Sequence, residues 1–404
     1  MTLGDDAPAR ETHRLLVTVT GRDRPGISAA LFSALGSLDD AVTDIGQITI
    51  RGHLVLCVEV ECSTALTAGE VRRTVLASDL GSDDAIAVHV SGSGDVEVEA
   101  AGRRLLVTLT APTVSTGALA GVFGAIYEAS GTVERIVRLA AYPVQSYELV
   151  VIGADHERLR STLAPEAARL GIDLAVQRAG LHRRAKRLVV MDADSTLFTH
   201  EVIDLLAEEA GRQGEVARLT EQAMAGHLDF AEALSARVAL LEGLDAGVFA
   251  RVANRLALAP GARTLVRTLK RLGFSTAVVS GGFHEVIDEV CAELGVDRVA
   301  ANRLEVADGR LTGRTLGPIV DRAGKAEALA RFARELDVPL TQTVAVGDGA
   351  NDVDMIAIAG LGIAFNARPV VRDAADTAIS VPYLDAVLFL LGIPREEIEA
   401  ADDE

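Results

Sequence analysis

The sequence predicts an α/β protein in three parts: two small α+β sandwiches, then a doubly wound domain on a parallel sheet. A duplicated strand and a later change of pattern carry that prediction. Arg14-Leu-Leu-Val-Thr-Val-Thr20 recurs ninety residues on as Arg104-Leu-Leu-Val-Thr-Leu-Thr110. Beyond Leu188 short Val-rich strands alternate with long helical stretches, the pattern of a sheet covered on both faces.

In each copy the alternating strand runs into a Pro- or Gly-bearing loop, Arg22–Gly26 or Ala111–Gly117. Apolar-periodic helices follow over Ile27–Leu38 and Ala118–Ser130. β-rich runs come next, Ile45–Cys62 and Ile136–Ile152. In the first copy a helix over Ala68–Ser78 starts on Thr67 and Glu70, spaced as a capping box. Final strands are expected at Ala85–Val90 and Asp173–Gln177. The order suits a ferredoxin-like sandwich in each copy. Ser91–Asp95 and the acidic stretch after it read as a linker. The basic residues Arg178, Arg183, Arg184, Lys186 and Arg187 read as a solvated connection into the third part. There, strands are expected at Leu188–Met191, Thr276–Val279, Thr343–Val346 and Gly362–Phe365. The last nine residues carry six acids and are expected to fray.

The chain has 404 residues and a formal net charge of −19, which argues against a nucleic-acid or anionic-membrane binder. Apolar residues make up 49%, enough for several cores, but with no Trp those cores are aliphatic. Cys57, Cys62 and Cys291 are too few for a disulfide framework and read as packing residues. The first residues lack an apolar signal segment, and Ala386–Ile393 is too short to span a bilayer. The expectation is a cytoplasmic protein.

Ligands collect at the carboxyl ends of strands in an open parallel sheet. Asp192-Ala-Asp-Ser-Thr196 and Gly347-Asp-Gly-Ala-Asn-Asp352 each follow such a strand and gather carboxylates that repel unless a cation shares them. Carboxylates with little nearby base suit Mg²⁺. Ser280-Gly-Gly282 offers a hydroxyl and open backbone N–H groups for phosphate oxygens, and Lys325 offers a point charge. Each fragment alone is commonplace. Together, in order, at intervals of 88, 45 and 23 residues, they resemble a phosphoryl-transfer site. His200 and His284 lie near these motifs but read as loop or helix residues.

Val190–Thr196, Val279–Gly282, Lys325 and Gly347–Asp352 match the four ordered motifs of the haloacid dehalogenase-like hydrolases, a resemblance covering about 186–395. Glu201 after Asp-Ser-Thr, and the Phe230–Leu241 stretch, make the chain similar to the phosphoserine-hydrolysing branch. The resemblance implies Asp192 as nucleophile, and Asp194 as the acid that protonates the leaving oxygen and then activates water. It implies Mg²⁺ on Asp192, Asp348 and the Asp194 carbonyl, with Asp352 supporting the metal site indirectly. Ser280, Gly281 and Lys325 would hold the phosphoryl group and Asn351 orient the substrate. Glu201 would meet the substrate ammonium and Arg237 clasp its carboxylate, from a helical cap near 204–260. Met224 and Phe230 would form an apolar lid over the site.

The paired repeats resemble ACT domains, placed at 13–92 and 103–179, with the catalytic domain at 186–395. Asp23 and Gly26 fall in the loop that contacts an amino acid in such modules. In the second copy Thr113, Val114, Ser115 and Thr116 replace the charged residues and only Gly117 remains. The resemblance implies a homodimer built through these repeats and an amino-acid effector such as serine. Two rivals stand beside this reading: a phosphatase of the same superfamily for another small ester, and an amino-acid sensor with a vestigial catalytic part.

Overall fold

The structure, a computed structural model, describes residues 12–38, 41–63, 66–81, 84–93, 104–224 and 227–402. The chain divides into two compact units, 1–100 and 101–404.

The first unit runs β1 (Thr12–Arg22), α1 (Ile27–Gly36), β2 (Ala41–Ile50), β3 (His53–Ser63), α2 (Ala68–Leu76) and β4 (Ile86–Gly92). Its four antiparallel strands lie in the order β2-β3-β1-β4. Strand alternation decides the buried face: Leu15, Val17 and Val19 enter the core with Val58 and Val60 beneath α1 and α2. Thr67 and Glu70 form the expected capping box, each side chain bonding the other's backbone N–H. The expected linker beyond Ser93 lies outside the described residues.

The second repeat, within the larger unit, runs β5 (Leu105–Ala111), α3 (Thr116–Glu128), β6 (Thr132–Ala140), β7 (Gln145–Ile152), α4 (His156–Leu170) and β8 (Asp173–Arg178), with sheet order β6-β7-β5-β8. The matching orders confirm the duplication. Helix α4 is the second helix that the duplicated β-α-β-β-α order calls for in this copy. Asp155 caps it by accepting from the N–H groups of Glu157 and Arg158, and Gly171 ends it at φ 64°.

A short helix, α5 (Leu181–Arg184), leads into β9 (Leu188–Asp192). Four helices follow: α6 (Val202–Glu209), α7 (Gln213–Met224), α8 (Phe230–Ala239) and α9 (Val248–Ala253). The chain then alternates through α10 (Ala262–Arg271), β10 (Ser275–Phe283), α11 (His284–Leu294), β11 (Arg298–Ala307), β12 (Arg310–Leu316), α12 (Arg322–Glu335), β13 (Thr343–Gly347), α13 (Val353–Ile358), β14 (Gly362–Phe365), α14 (Pro369–Ala374), β15 (Thr377–Ile379), α15 (Val387–Leu390) and α16 (Arg395–Asp402). The seven-stranded sheet has the order β12-β11-β10-β9-β13-β14-β15 and is parallel except for the β11–β12 hairpin. Buried β9 shows why the fold is doubly wound: Val189 and Met191 join one core, while Leu188 and Val190 join another.

Three features depart from expectation. The β11–β12 hairpin was not anticipated, because its strands carry as many polar as apolar residues. The acidic C-terminal stretch does not fray up to Asp402. It forms α16, where Asp402 bonds Arg267 and Arg271 and Arg395 pairs with Asp385 at 2.7 Å. The basic connection is not wholly solvated either, since Lys186 is buried and the Arg183 side chain is 9% exposed.

The second repeat is fastened to the catalytic sheet. Arg183 pairs with Glu148 and donates to the Leu390 carbonyl at 3.1 Å, and the Ser380 N–H donates to Asp173 at 2.6 Å. Leu139, Ala140, Val144 and Ala175 share one apolar cluster with Leu384 and Val387–Leu390.

Candidate active site

The site forms where β9, β10 and β13 end side by side. Asp192 is the last residue of β9 and is 3% exposed. Beyond it the chain turns tightly through Ser195 at φ 58°, bringing Asp194 back over the sheet edge. Asp194 Oδ1 accepts from the Val202 N–H at 2.8 Å and Oδ2 from the Ser280 hydroxyl at 3.2 Å. Burial raises the pKa of Asp194, the direction that suits an acid able to hold a proton.

Ser280, wholly buried at the end of β10, accepts from the Gly282 N–H at 2.8 Å. A Cβ at Gly281 would stand 3.2 Å from the Phe230 ring, so that a larger residue there would press on the ring. Its carbonyl accepts from Asn302 Nδ2 at 2.8 Å, and Asn302 Oδ1 accepts from the Val320 N–H at 2.8 Å. Asn302, missed in the sequence, thereby fixes the peptide that faces the site.

Lys325, on the first turn of α12, is fully buried. Its Nζ donates to Asp192 Oδ1 at 2.6 Å and to Asp352 Oδ1 at 2.7 Å. The other Asp352 oxygen accepts from the N–H groups of Asp348 and Gly349 at 3.2 and 2.9 Å. Asp352 therefore braces the loop. Asp348 Oδ1 accepts from the Thr196 hydroxyl at 3.0 Å. Burial and neighbouring carboxylates push the Asp348 pKa up to about 6, and burial holds Asp192 well above the usual carboxylate range.

Oxygens of Asp192, Asp348 and Asp352 lie within 4.8 Å of one another. A metal ion fits this donor set. Lys325 sets a single bonded ammonium against these crowded carboxylates, and they are hard oxygen ligands. Both Asp352 oxygens are already engaged, so Asp192 and Asp348 are the side chains best able to bind a cation directly.

Asp192, Asp194, Glu201, Arg237, Gly281, Asp348 and Asn351 line one cavity of about 380 Å³, with Leu228, Phe230 and Leu234 as its apolar wall. Ser280, Lys325 and Asp352 stand behind it. Glu201 accepts from the Ser195 hydroxyl at 3.3 Å. Though open to water on one side, its carboxyl is pushed up to about 7 by desolvation and by Asp194, Asp348 and Asp204. Arg237 is steadied by donating Nε–H to the Ala233 carbonyl at 3.2 Å. Its guanidinium pKa is drawn down by burial, against the pull of Glu201 and Asp204. The cavity thus offers a cation, Arg237, and an anion, Glu201, in the same space as Asp192, Asp194 and Asp348. Phe230 is in place on the wall. The side chain of Met224 lies outside the described residues.

Arg368 also lines the cavity and was missed. It follows β14, so a search of the fourth strand's carboxyl-end loop would have found it. The two histidines are occupied elsewhere: His200 bonds Thr199, while His284 joins Asp288 and the Ala301 N–H. Asp23 and Gly26 lie in the first unit. There Asp23 accepts from the Thr49 hydroxyl at 3.3 Å, and Gly26 at φ 96° leaves open space where a Cβ would stand.

Comparison with known proteins agrees with this geometry. Residues 189–357 match the haloacid dehalogenase-like hydrolase model, and 13–83 and 105–177 each match an ACT domain model. A phosphoserine phosphatase of Streptomyces coelicolor is 54% identical over 96% of this chain and 94% of its own length. The chain belongs to the phosphoserine phosphatase family. A second member, from Mycobacterium tuberculosis, is 47% identical over 96% of this chain and 95% of its own. The crystal structure of a probable phosphoserine phosphatase from Vibrio cholerae, unliganded, is 30% identical with a TM-score of 0.57, covering 74% of this chain and 89% of that one. This chain carries the hydrolase fold and two ACT domains together. No helix among the described residues is long and apolar enough to cross a membrane.

Proposed function

We propose that the chain hydrolyses O-phospho-L-serine to L-serine and phosphate, the last step of L-serine biosynthesis, with Mg²⁺ as cofactor. The carrying observation is a buried Asp192 carboxylate bonded to Lys325 at 2.6 Å, beside Asp348 and facing a cavity that holds both Glu201 and Arg237. The names of the full-length relatives support the substrate.

In this reading Asp192 attacks phosphorus and forms an aspartyl-phosphate, while the seryl C–O oxygen departs with the P–O bonding pair and takes a proton from Asp194. Asp194 then removes a proton from water. That water attacks phosphorus, inorganic phosphate leaves, and the Asp192 carboxylate is restored. Mg²⁺, held by Asp192, Asp348 and the Asp194 carbonyl, would supply charge neutralisation that lets an anion approach a dianion. Lys325, the Ser280 hydroxyl and the Gly281 N–H hold phosphoryl oxygens, and Asn351 orients them. Arg237 clasps the substrate carboxylate as a two-pronged donor, and Glu201 receives the ammonium.

The ACT repeats supply regulation. Asp23 and Gly26 would contact an amino acid such as serine, and the repeats would pair two chains into a homodimer. The folding units are proposed at 13–92, 103–179 and 186–395, with the cap at about 204–260. A phosphate-release panel over many phosphate esters, with and without Mg²⁺ and with added amino acids, tests all of this. Preference for phosphoserine, dependent on Mg²⁺, is the expected result. Full turnover by Asp192→Asn would reject the mechanism.

A further inference from the structure

A second cavity, of about 310 Å³, lies at the opposite end of the catalytic sheet, and none of its residues enters the reaction above. One wall is α4 and β8 of the second repeat, with His156, Arg160 and Arg178. The other comprises Lys186, Thr341, Gly360 and Asp376, which precede β9, β13, β14 and β15 at their amino ends. Six residues of extended chain separate Lys186 from Asp192, about 20 Å at strand spacing. The cavity is thus well removed from the reacting carboxylates.

Its charge is anomalous. In a chain of net −19, four Lys or Arg residues and one Asp line this space. Arg183 has its own carboxylate in Glu148. Arg160 donates to the Ala375 carbonyl at 2.9 Å. Lys186 is only 7% exposed, yet its Nζ donates to backbone carbonyls, Thr341 at 2.8 Å and Thr343 at 3.5 Å, rather than to a carboxylate. Asp376 is near, but one of its oxygens accepts from the Gly362 N–H. Burying an ammonium against neutral partners is unfavourable, and desolvation brings its pKa down to about 8. Gly360 lets the Thr341 backbone and this ammonium come close, since a Cβ there would stand 2.2 Å from the Thr341 carbonyl oxygen and 2.6 Å from Nζ.

We propose that this cavity binds a small oxyanion carrying two or more negative charges, a phosphate or a polycarboxylate, between the second repeat and the catalytic sheet. Such a ligand would give Lys186, Arg160 and Arg178 counter-charge beyond what Asp376 offers Lys186 and Asp155 offers Arg178. It would also tie α4 and β8 to the loops that feed β13 and β14, the strands that lead to Asp348 and Arg368. The size suits a metabolite rather than a macromolecule.

The test is calorimetric titration of the full chain, Mg²⁺-free, with inorganic phosphate and separately with citrate at constant ionic strength. It is run on wild type, Arg178→Gln, and Arg160→Gln/Arg178→Gln. Arg178 is exposed and can be replaced without disturbing a core. The expected result is binding of at least one probe that weakens about tenfold in the double variant, the loss of charge-assisted contacts, and measurably in the single one. Hydrolysis without added anion should be unchanged. A response to phosphate alone assigns a phosphate group, and to citrate alone a polycarboxylate. Both support the proposal. Absence of binding by either probe overturns it, as does binding equal in all three proteins, which would place the anion in the active site only.

Discussion

Replacing Lys325 with Met is the sharpest probe of the catalytic site. The ammonium is fully buried and bridges Asp192 and Asp352 at 2.6 and 2.7 Å. Methionine keeps the length of the side chain and removes its charge, leaving two buried carboxylates facing each other. Removing one partner of a buried ion pair costs about 3–5 kcal/mol. Here two contacts are lost, but either carboxylate can take up a proton, so the single-pair range applies. At about 2–4 °C per kcal/mol, the lower figure suiting a unit this large, the transition of the larger unit should fall by about 6–10 °C. Calorimetry in EDTA at pH 7 reads this directly. The deficit should shrink at pH 5, where protonation relieves the repulsion. It should shrink again in Lys325→Met/Asp352→Asn, a double-mutant cycle that isolates the pair. Phosphate release should collapse in both variants. A Lys325→Met protein that melts within 1 °C of wild type in EDTA would refute the reading, because the carboxylates would then not need the ammonium.

Other outcomes follow from the same geometry. Arg237→Ala should lower kcat/KM for phosphoserine by about 100-fold or more while changing hydrolysis of a carboxylate-free phosphate ester by only a few-fold, as steady-state kinetics on the two substrates will read. Asp194→Asn should slow phosphoserine turnover by about 100-fold or more, yet slow p-nitrophenyl phosphate much less, because a phenolate leaves without a proton. Asp348 has a folded pKa raised to about 6 from an ordinary 3.8. The folded protein therefore holds that proton more tightly, and stability falls as pH rises from about 4 through 6. In EDTA, wild type should lose up to about 3 kcal/mol relative to Asp348→Asn across that window, and Mg²⁺ should remove the difference. Denaturant melts at a series of pH values measure it.

The duplicated strand and the Val-rich runs made the layered architecture legible, since alternation and continuous apolarity report burial on one face or two. The reacting groups were legible because each sits in a short loop directly after such a strand. What the sequence hid depends on long-range pairing. Asn302 acts on Gly281 from the neighbouring β11, and nothing local distinguishes it from a surface amide. Arg368 follows a strand whose loop carries no acidic or glycine-rich motif. Lys186 reads as one more charge in a basic run, and only the fold brings Thr341, Thr343 and Gly360 around its ammonium. The acidic tail becomes helix α16 because Arg267 and Arg271, more than a hundred residues earlier, receive Asp402.

The two ACT copies began as equals, but one has become part of the foundations. Leu139, Val144 and Ala175 of the second copy lie in the same oily layer as Val387–Leu390. A chain cut to begin at residue 186 would bare that layer to water, and would lose Arg183 together with its bonds to the Phe389 and Leu390 carbonyls. Excising the catalytic half at its family boundary should yield a sticky, weakened enzyme, whereas a cut between residues 94 and 103 leaves the seam intact.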